Sequence, residues 1–133
     1  MSNIVNDVVE DYIRHTLKDA DGLLKELEVF AEENSVPIVH KEVSDLLKVL
    51  LKMQKPQRIL EVGCAIGYSS ILFATTCEDN VDITTCERNP VMIERAKENI
   101  KRAGFENNIR ILEGDAVEQI GRASCRERVY VLV

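Results

Sequence analysis

The chain has no tryptophan, only three phenylalanines, three tyrosines and three prolines in 133 residues. Its core must therefore be built from Leu, Ile and Val. None of its four cysteines, Cys64, Cys77, Cys86 and Cys125, stands in a C-x-x-C pair. That spacing argues against a zinc site or a disulfide framework and leaves them as small buried apolar residues. No apolar run approaches the roughly 20 residues of a membrane-spanning helix. The opening stretch MSNIVNDVVEDYIRH carries acid where a signal peptide carries base, so a cytoplasmic chain with no membrane partner is expected. Positive charge is also short: 17 Lys and Arg stand against 23 Asp and Glu, a net charge of -6. That balance counts against non-specific nucleic-acid binding. No internal repeat or low-complexity tract is present.

What is present is a regular alternation of patterns over one domain's length. Residues 4–18 place Ile4, Val5, Val8, Val9, Tyr12, Ile13 and Leu17 at helical spacing. A second helix is expected from Gly22 to Glu33, with Leu23, Leu24, Leu27, Phe30 and Ala31 on one side and Pro37 as its breaker. A third is expected over 41–53, where Val43, Leu46, Leu47, Leu50 and Leu51 make a wide apolar face. After Pro56 the period changes. RILEV (58–62), VDITTCE (81–87) and NIRILEGD (108–115) read as buried strands. Between them lie the helices GYSSILFATTC and NPVMIERAKENIKRAG. The latter has Asn89 as N-cap, Pro90 at its first position and Gly104 just past its end. Glu94 with Lys97, and Glu98 with Arg102, are set for ion pairing along it. Strand, helix, strand, helix, strand at this spacing predicts an α/β fold with right-handed crossovers and a parallel sheet.

The first strand runs into EVGCAIGYSS. Gly63 and Gly67 flank a tight turn that would turn backbone N–H groups and a helix N-terminus toward a ligand at the strand's carboxyl end. Two glycines alone serve equally well as a plain strand-to-helix turn. Glu87 adds to them, because it closes the second strand, where a carboxylate accepts from both hydroxyls of a bound ribose. Together they favour a nucleoside. A dinucleotide site asks for G-x-G-x-x-G; here Ala65 takes the middle glycine's place, and Glu61 would repel a pyrophosphate. A carboxylate at position 61 suits a ligand with a positively charged amino group and no phosphate, as S-adenosylmethionine is.

The segments ILEVGCAIGYSS, TTCERNPVMIERAKENIKRAG and IRILEGDAVE resemble the class I S-adenosylmethionine-dependent O-methyltransferases of the catechol and caffeoyl-CoA type. LEVFAEENSVPIV and the three leading helices look closest to the bacterial branch that methylates 5-hydroxyuridine in tRNA. The resemblance implies a Rossmann-like fold with three N-terminal helices. It implies a cofactor turn at Gly63 and Gly67, with Glu61 near the methionine amino group and Tyr68 and Ser69 lining the methionine end. Glu87 would hold the ribose, Asp115 and Ala116 would meet the adenine, and Val39 would cap the pocket. Cys64 stands where the family often has threonine. The implied reaction is transfer of a methyl group to a hydroxyl oxygen, aided by Mg²⁺ whose ligands lie at and beyond the fourth strand, after position 120. The implied partners are tRNA or a small phenol, and a second subunit, with Ile4, Val8 and Val9 as candidates for the contact.

The tail departs from that pattern. IGRASCRERV (120–129) resembles a translated sequencing adapter, and no acidic residue follows Val129. The expected organisation is a helical segment (1–55), a cofactor-binding part (56–120) truncated after the third strand, and a non-native tail (121–133), the whole inactive as written. VYVLV could still lie as a strand against the open flank of RILEV. Three alternatives stand beside this reading: a methyltransferase of catechol-like or caffeoyl-CoA-like phenols, a non-catalytic adenosylmethionine-binding module, and, more distantly, an NAD-dependent oxidoreductase.

Overall fold

A computed structural model describes residues 6–78, 80–119 and 130–132. Three helices lead: α1 (Asp7–Thr16), α2 (Gly22–Glu33) and α3 (Lys41–Gln54). They are followed by β1 (Arg58–Val62), α4 (Tyr68–Thr76), β2 (Asp82–Glu87), α5 (Pro90–Ala103), β3 (Ile109–Glu113), α6 (Ala116–Gln119) and β4 (Tyr130–Leu132). The strands form one sheet in the order β3-β2-β1-β4, and every neighbouring pair is parallel. The expected α/β fold with a parallel sheet and three N-terminal helices is the one observed. Tyr130–Leu132 lies along β1 in the register Ile59↔Tyr130 to Glu61↔Leu132, which fills the flank of RILEV. Residues 120–129, where the adapter-like string falls, lie outside the described residues, as do Ile4 and Val5.

The period-2 alternation of the strands sorts their side chains onto two faces. Ile59, Glu61, Ile83, Thr85 and Ile109 are buried, and the isoleucines among them join residues of α4 and α5 in one apolar cluster. Leu60 and Cys86, which alternate with them, are buried outside that cluster. Helix α4 explains the depth of the core. Its apolar residues run all the way round, and Tyr68, Ser70, Ile71, Leu72, Phe73 and Ala74 are all buried. Such a helix needs cover on every side; α4 contacts β2 and α5, and also α2 and α3.

Helix ends follow local chemistry. Asn89 Oδ1 accepts from the N–H groups of Val91 and Met92, Pro90 opens α5, and Gly104 closes it at φ 78°. Helix α2 stops at Glu33, earlier than Pro37 alone requires. Asn34 donates through Nδ2 to the Phe30 carbonyl at 2.8 Å, and Ser35 adopts φ 52°. Along α5, Lys97 pairs with Glu94 at 3.3 Å and reaches Glu113 at 2.6 Å. Arg102 pairs with Glu26 of α2 at 2.5 Å, so the partner expected from helical spacing, Glu98, gives way to a tertiary one.

The apolar faces read into the first and third helices are only partly buried. Helix α1 has no buried residue, with Tyr12 70% exposed, and on α3 Val43, Leu46 and Leu50 are exposed along with Met53. Periodicity decides which residues share a face, but burial needs a partner, and no described residue covers this one. Helix α1 is held instead by polar contacts. Arg14 pairs with Glu10 and with Glu42 of α3, the latter at 3.2 Å. Lys41 donates to the carbonyls of Arg14 and Leu17 and to Asp19. No helix among the described residues is long and apolar enough to cross a membrane.

Two outcomes are expected. Phe73→Ala, which empties a site 1% exposed at the centre of α4, should lower stability by about 3–5 kcal/mol, measured by urea denaturation. The exposed faces of α1 and α3 should make the isolated chain self-associate; a sharp, reversible thermal transition of a monomer in sedimentation would contradict that.

Candidate cofactor site

Three strand ends meet at the carboxyl edge of the sheet. Beyond β1, Gly63 takes φ 83° and Gly67 takes φ 87°, left-handed values that favour glycine. A Cβ built on Gly67 would meet Ala96 at 3.5 Å, an ordinary contact, so conformation and not space calls for glycine there. Between them Ala65 is also left-handed, at φ 46°. The turn closes through Gly67 N–H to the Cys64 carbonyl at 2.7 Å and is tied to β2 through Gly63 N–H to the Cys86 carbonyl at 2.8 Å. Its far side is pinned by Asn99 of α5, whose Nδ2 donates to the Ile66 carbonyl at 2.9 Å.

Glu61 lies beneath this turn, 4% exposed. Its carboxylate accepts from Ser69 Oγ, from Ser70 Oγ at 2.5 Å and from Thr85 Oγ1 at 2.6 Å. Burial pushes its pKa up; the three hydroxyl bonds pull it back in part, and the nearby Glu87 charge adds to the rise. Its hydrogen-bond partners are all neutral. Burial also pushes the Cys64 thiol up to about 12, with the Glu61 and Glu87 charges adding, which makes it a poor nucleophile.

Glu87 closes β2. Its Oε2 accepts from Ala65 N–H at 3.0 Å, and its Oε1 accepts from the N–H groups of Arg88 and Asn89, both at 2.9 Å. The third strand end is drawn in by Gly114 N–H, which donates to the Glu87 carbonyl at 2.8 Å. Asp115 follows, its Oδ1 accepting from Val117 N–H at 2.9 Å and its Oδ2 lying 3.8 Å from Arg88 Nη1. Ala116 is half-buried beside it.

The structure thus brings together Glu61, Gly63, Gly67, Ser69, Glu87, Asp115 and Ala116. Val39 is half-buried and packs on the core. Tyr68 opens α4; its side chain is buried and its hydroxyl donates to Glu28 Oε1 of α2 at 2.7 Å. That bond braces α4 against the N-terminal helices. Burial, then the Glu28 contact, pushes the pKa of Tyr68 up. Sequence reasoning missed Ser70, Thr85 and Asn99. All three are polar residues at positions whose neighbours in the pattern are apolar, and that mismatch was the available signal. A groove of 770 Å³ lined by Arg58, Asp82, Thr84, Asn108 and Arg110 lies at the amino ends of the strands, away from these groups.

The O-methyltransferase family profile matches residues 14–128. The chain belongs to this family. Its segments are 31% identical to a catechol O-methyltransferase of Niastella koreensis over 120 residues, 89% of this chain and 54% of that protein. A Staphylococcus aureus protein described as a caffeoyl-CoA O-methyltransferase shares 42% identity and superposes with a TM-score of 0.73, over 88% of this chain and 54% of the other. An SAH-bound methyltransferase of Podospora anserina superposes with a TM-score of 0.83 at 22% identity, over 98% of this chain and 61% of that one, a likeness of fold. The chain spans about half the length of these relatives. The match runs through residue 128, into the stretch whose pattern departs from the expected continuation. Among the described residues no group of three or more His, Cys, Asp or Glu could hold a metal ion, so they do not fit the Mg²⁺ that the resemblance implies.

The buried Glu61 sets a pH dependence. Its pKa is raised in the folded chain, so above the ordinary glutamate value the folded state holds a proton that the unfolded state has released. Stability is therefore full below that value and falls as pH rises through the raised one. Glu61→Gln should flatten this slope in urea denaturation as pH rises above the ordinary glutamate value; parallel curves for the two proteins would refute it.

Proposed function

We propose that this chain is the cofactor-binding part of an S-adenosylmethionine-dependent O-methyltransferase. The observation that carries the reading is Glu61: a buried carboxylate whose hydrogen-bond partners are three hydroxyls and no cation. A buried charge without an opposite charge is unfavourable, and a ligand that brings an ammonium group beside it supplies what is missing. The rest of the site agrees with the remainder of such a ligand. We assign Glu87 to the vicinal diol of the ribose, and Asp115 and Ala116 to the adenine edge. A pyrophosphate, as in NAD, would face Glu61 with like charge.

The chemistry is a displacement. A bound S-adenosylmethionine would supply the methyl group: its C–S bond would break as a C–O bond formed to the acceptor hydroxyl, leaving a neutral thioether, with the hydroxyl proton released to water. In this reading Glu61, the glycine turn and Glu87 bind and orient the donor. The acceptor side belongs to the full-length enzyme, for which we propose a cytoplasmic homodimer acting on 5-hydroxyuridine in tRNA. The catechol and caffeoyl-CoA relatives favour a second reading, a small phenol. Both acceptors present an acidic hydroxyl on an unsaturated ring.

Titration calorimetry on this chain tests the reading. S-adenosylmethionine should bind, and Glu61→Gln should weaken it about tenfold or more, the loss of one interaction with a charged group. Methylthioadenosine, which keeps the nucleoside but lacks the amino group, should bind both proteins alike. Equal weakening of both ligands would remove Glu61 from the amino-group subsite, and no binding by the wild-type chain would remove the whole reading. Methyl transfer to tRNA or catechol by this chain alone should be undetectable.

A further inference from the structure

We infer that Glu87 is a positioning residue that pre-forms the cofactor turn before any ligand arrives. Only its ligand side rests on the proposed function. Ala65 holds φ 46° without being glycine, a conformation that persists where surrounding contacts over-determine it. Three contacts do so: the closure of the turn on itself, the Asn99 pin on Ile66, and the bond from Ala65 N–H to Glu87 Oε2 at 3.0 Å. The other oxygen of the same carboxylate gathers the amides of Arg88 and Asn89. One side chain thus ties the β1–α4 turn to the β2–α5 turn.

The anchorage of Glu87 makes this effective. Its backbone is in register with Glu113 of β3, and the preceding Cys86 is in register with both Val62 of β1 and Leu112 of β3. Gly114 N–H adds a bond to the Glu87 carbonyl. The carboxylate therefore projects from a strand clamped on both sides, and what it holds is the turn. A carboxylate offers about four lone-pair sites, of which three are taken. A vicinal diol has two donors, so its arrival competes with the turn for the same oxygens. Turn shape and nucleoside occupancy are thereby coupled through Glu87.

Hydrogen exchange of single amides in the ligand-free chain, read by NMR, tests the inference. Glutamine keeps one acceptor oxygen but puts an NH₂ group in place of the other. Glu87→Gln should therefore speed exchange at Ala65 about tenfold or more, as expected for a lost bond to a charged group, and leave Asn89 protected. Glu87→Ala should speed both, while amides at the centres of β1 and β2 keep their wild-type rates in either variant. Unchanged exchange at Ala65 in both variants would overturn the inference, because the turn would then hold itself. Faster exchange throughout β1 and β2 would also overturn it, in favour of a general structural role. No ligand enters this measurement. If Ala65 responds as expected but S-adenosylmethionine does not bind the wild-type chain, the positioning role stands and the cofactor reading fails.

Discussion

The buried carboxylate of Glu61 is the contact on which the carboxyl edge of the sheet depends. It comes from β1, and its hydroxyl partners come from α4 (Ser69 and Ser70) and from β2 (Thr85). Charge-assisted hydrogen bonds are shorter and stronger than neutral ones, so this cluster fixes the angle at which α4 leaves the turn. It also places an ionisable carboxyl in a region of low dielectric, where burial raises its pKa and no counter-ion stands among its hydrogen-bond partners. In the proposed site, structural order and ligand preference would have one source. The same group that locks the strand to the helix would, when ionised, favour a cation beside it.

The second organising constraint is the apolar character of α4. Because it is buried all round, it needs the sheet on one side and the N-terminal helices on the other. The bond from Tyr68 to Glu28 of α2 shows the two layers joined by a polar contact inside apolar packing. Helix α1 stands at the other extreme, attached through Arg14 and Lys41 with its apolar residues exposed. Its hold on the fold is therefore electrostatic and open to weakening by salt, in contrast to the salt-insensitive packing of α4.

The two carboxylates of the site share a location and differ in their surroundings. Glu61 meets side-chain hydroxyls in the interior, whereas Glu87 meets backbone amides at a half-buried strand end. In the proposed site the first would select the charge of a ligand, and the second would meet its hydroxyls while shaping the turn. Asp115, at the third strand end, is spent partly on capping α6, which keeps that loop close to Arg88.

Local pattern determined much of this protein. The ranges of α2 and β1, the Asn89-Pro90 start and Gly104 end of α5, and the parallel βαβ order follow from periodicity and capping, which act over a few residues and leave a direct trace in the chain. The glycine turn and Glu87 were legible for the same reason. The tertiary structure alone decided that Tyr68 faces α2, that Arg102 pairs with Glu26, and that Val43, Leu46 and Leu50 remain exposed. It also gathered Ser70, Thr85 and Asn99 around the turn. Each of these depends on which element lies opposite, a relation between residues distant in sequence. Spacing along a helix or strand assigns a residue to a face, but only the packing of that face against another, or its lack of a partner, gives it a role.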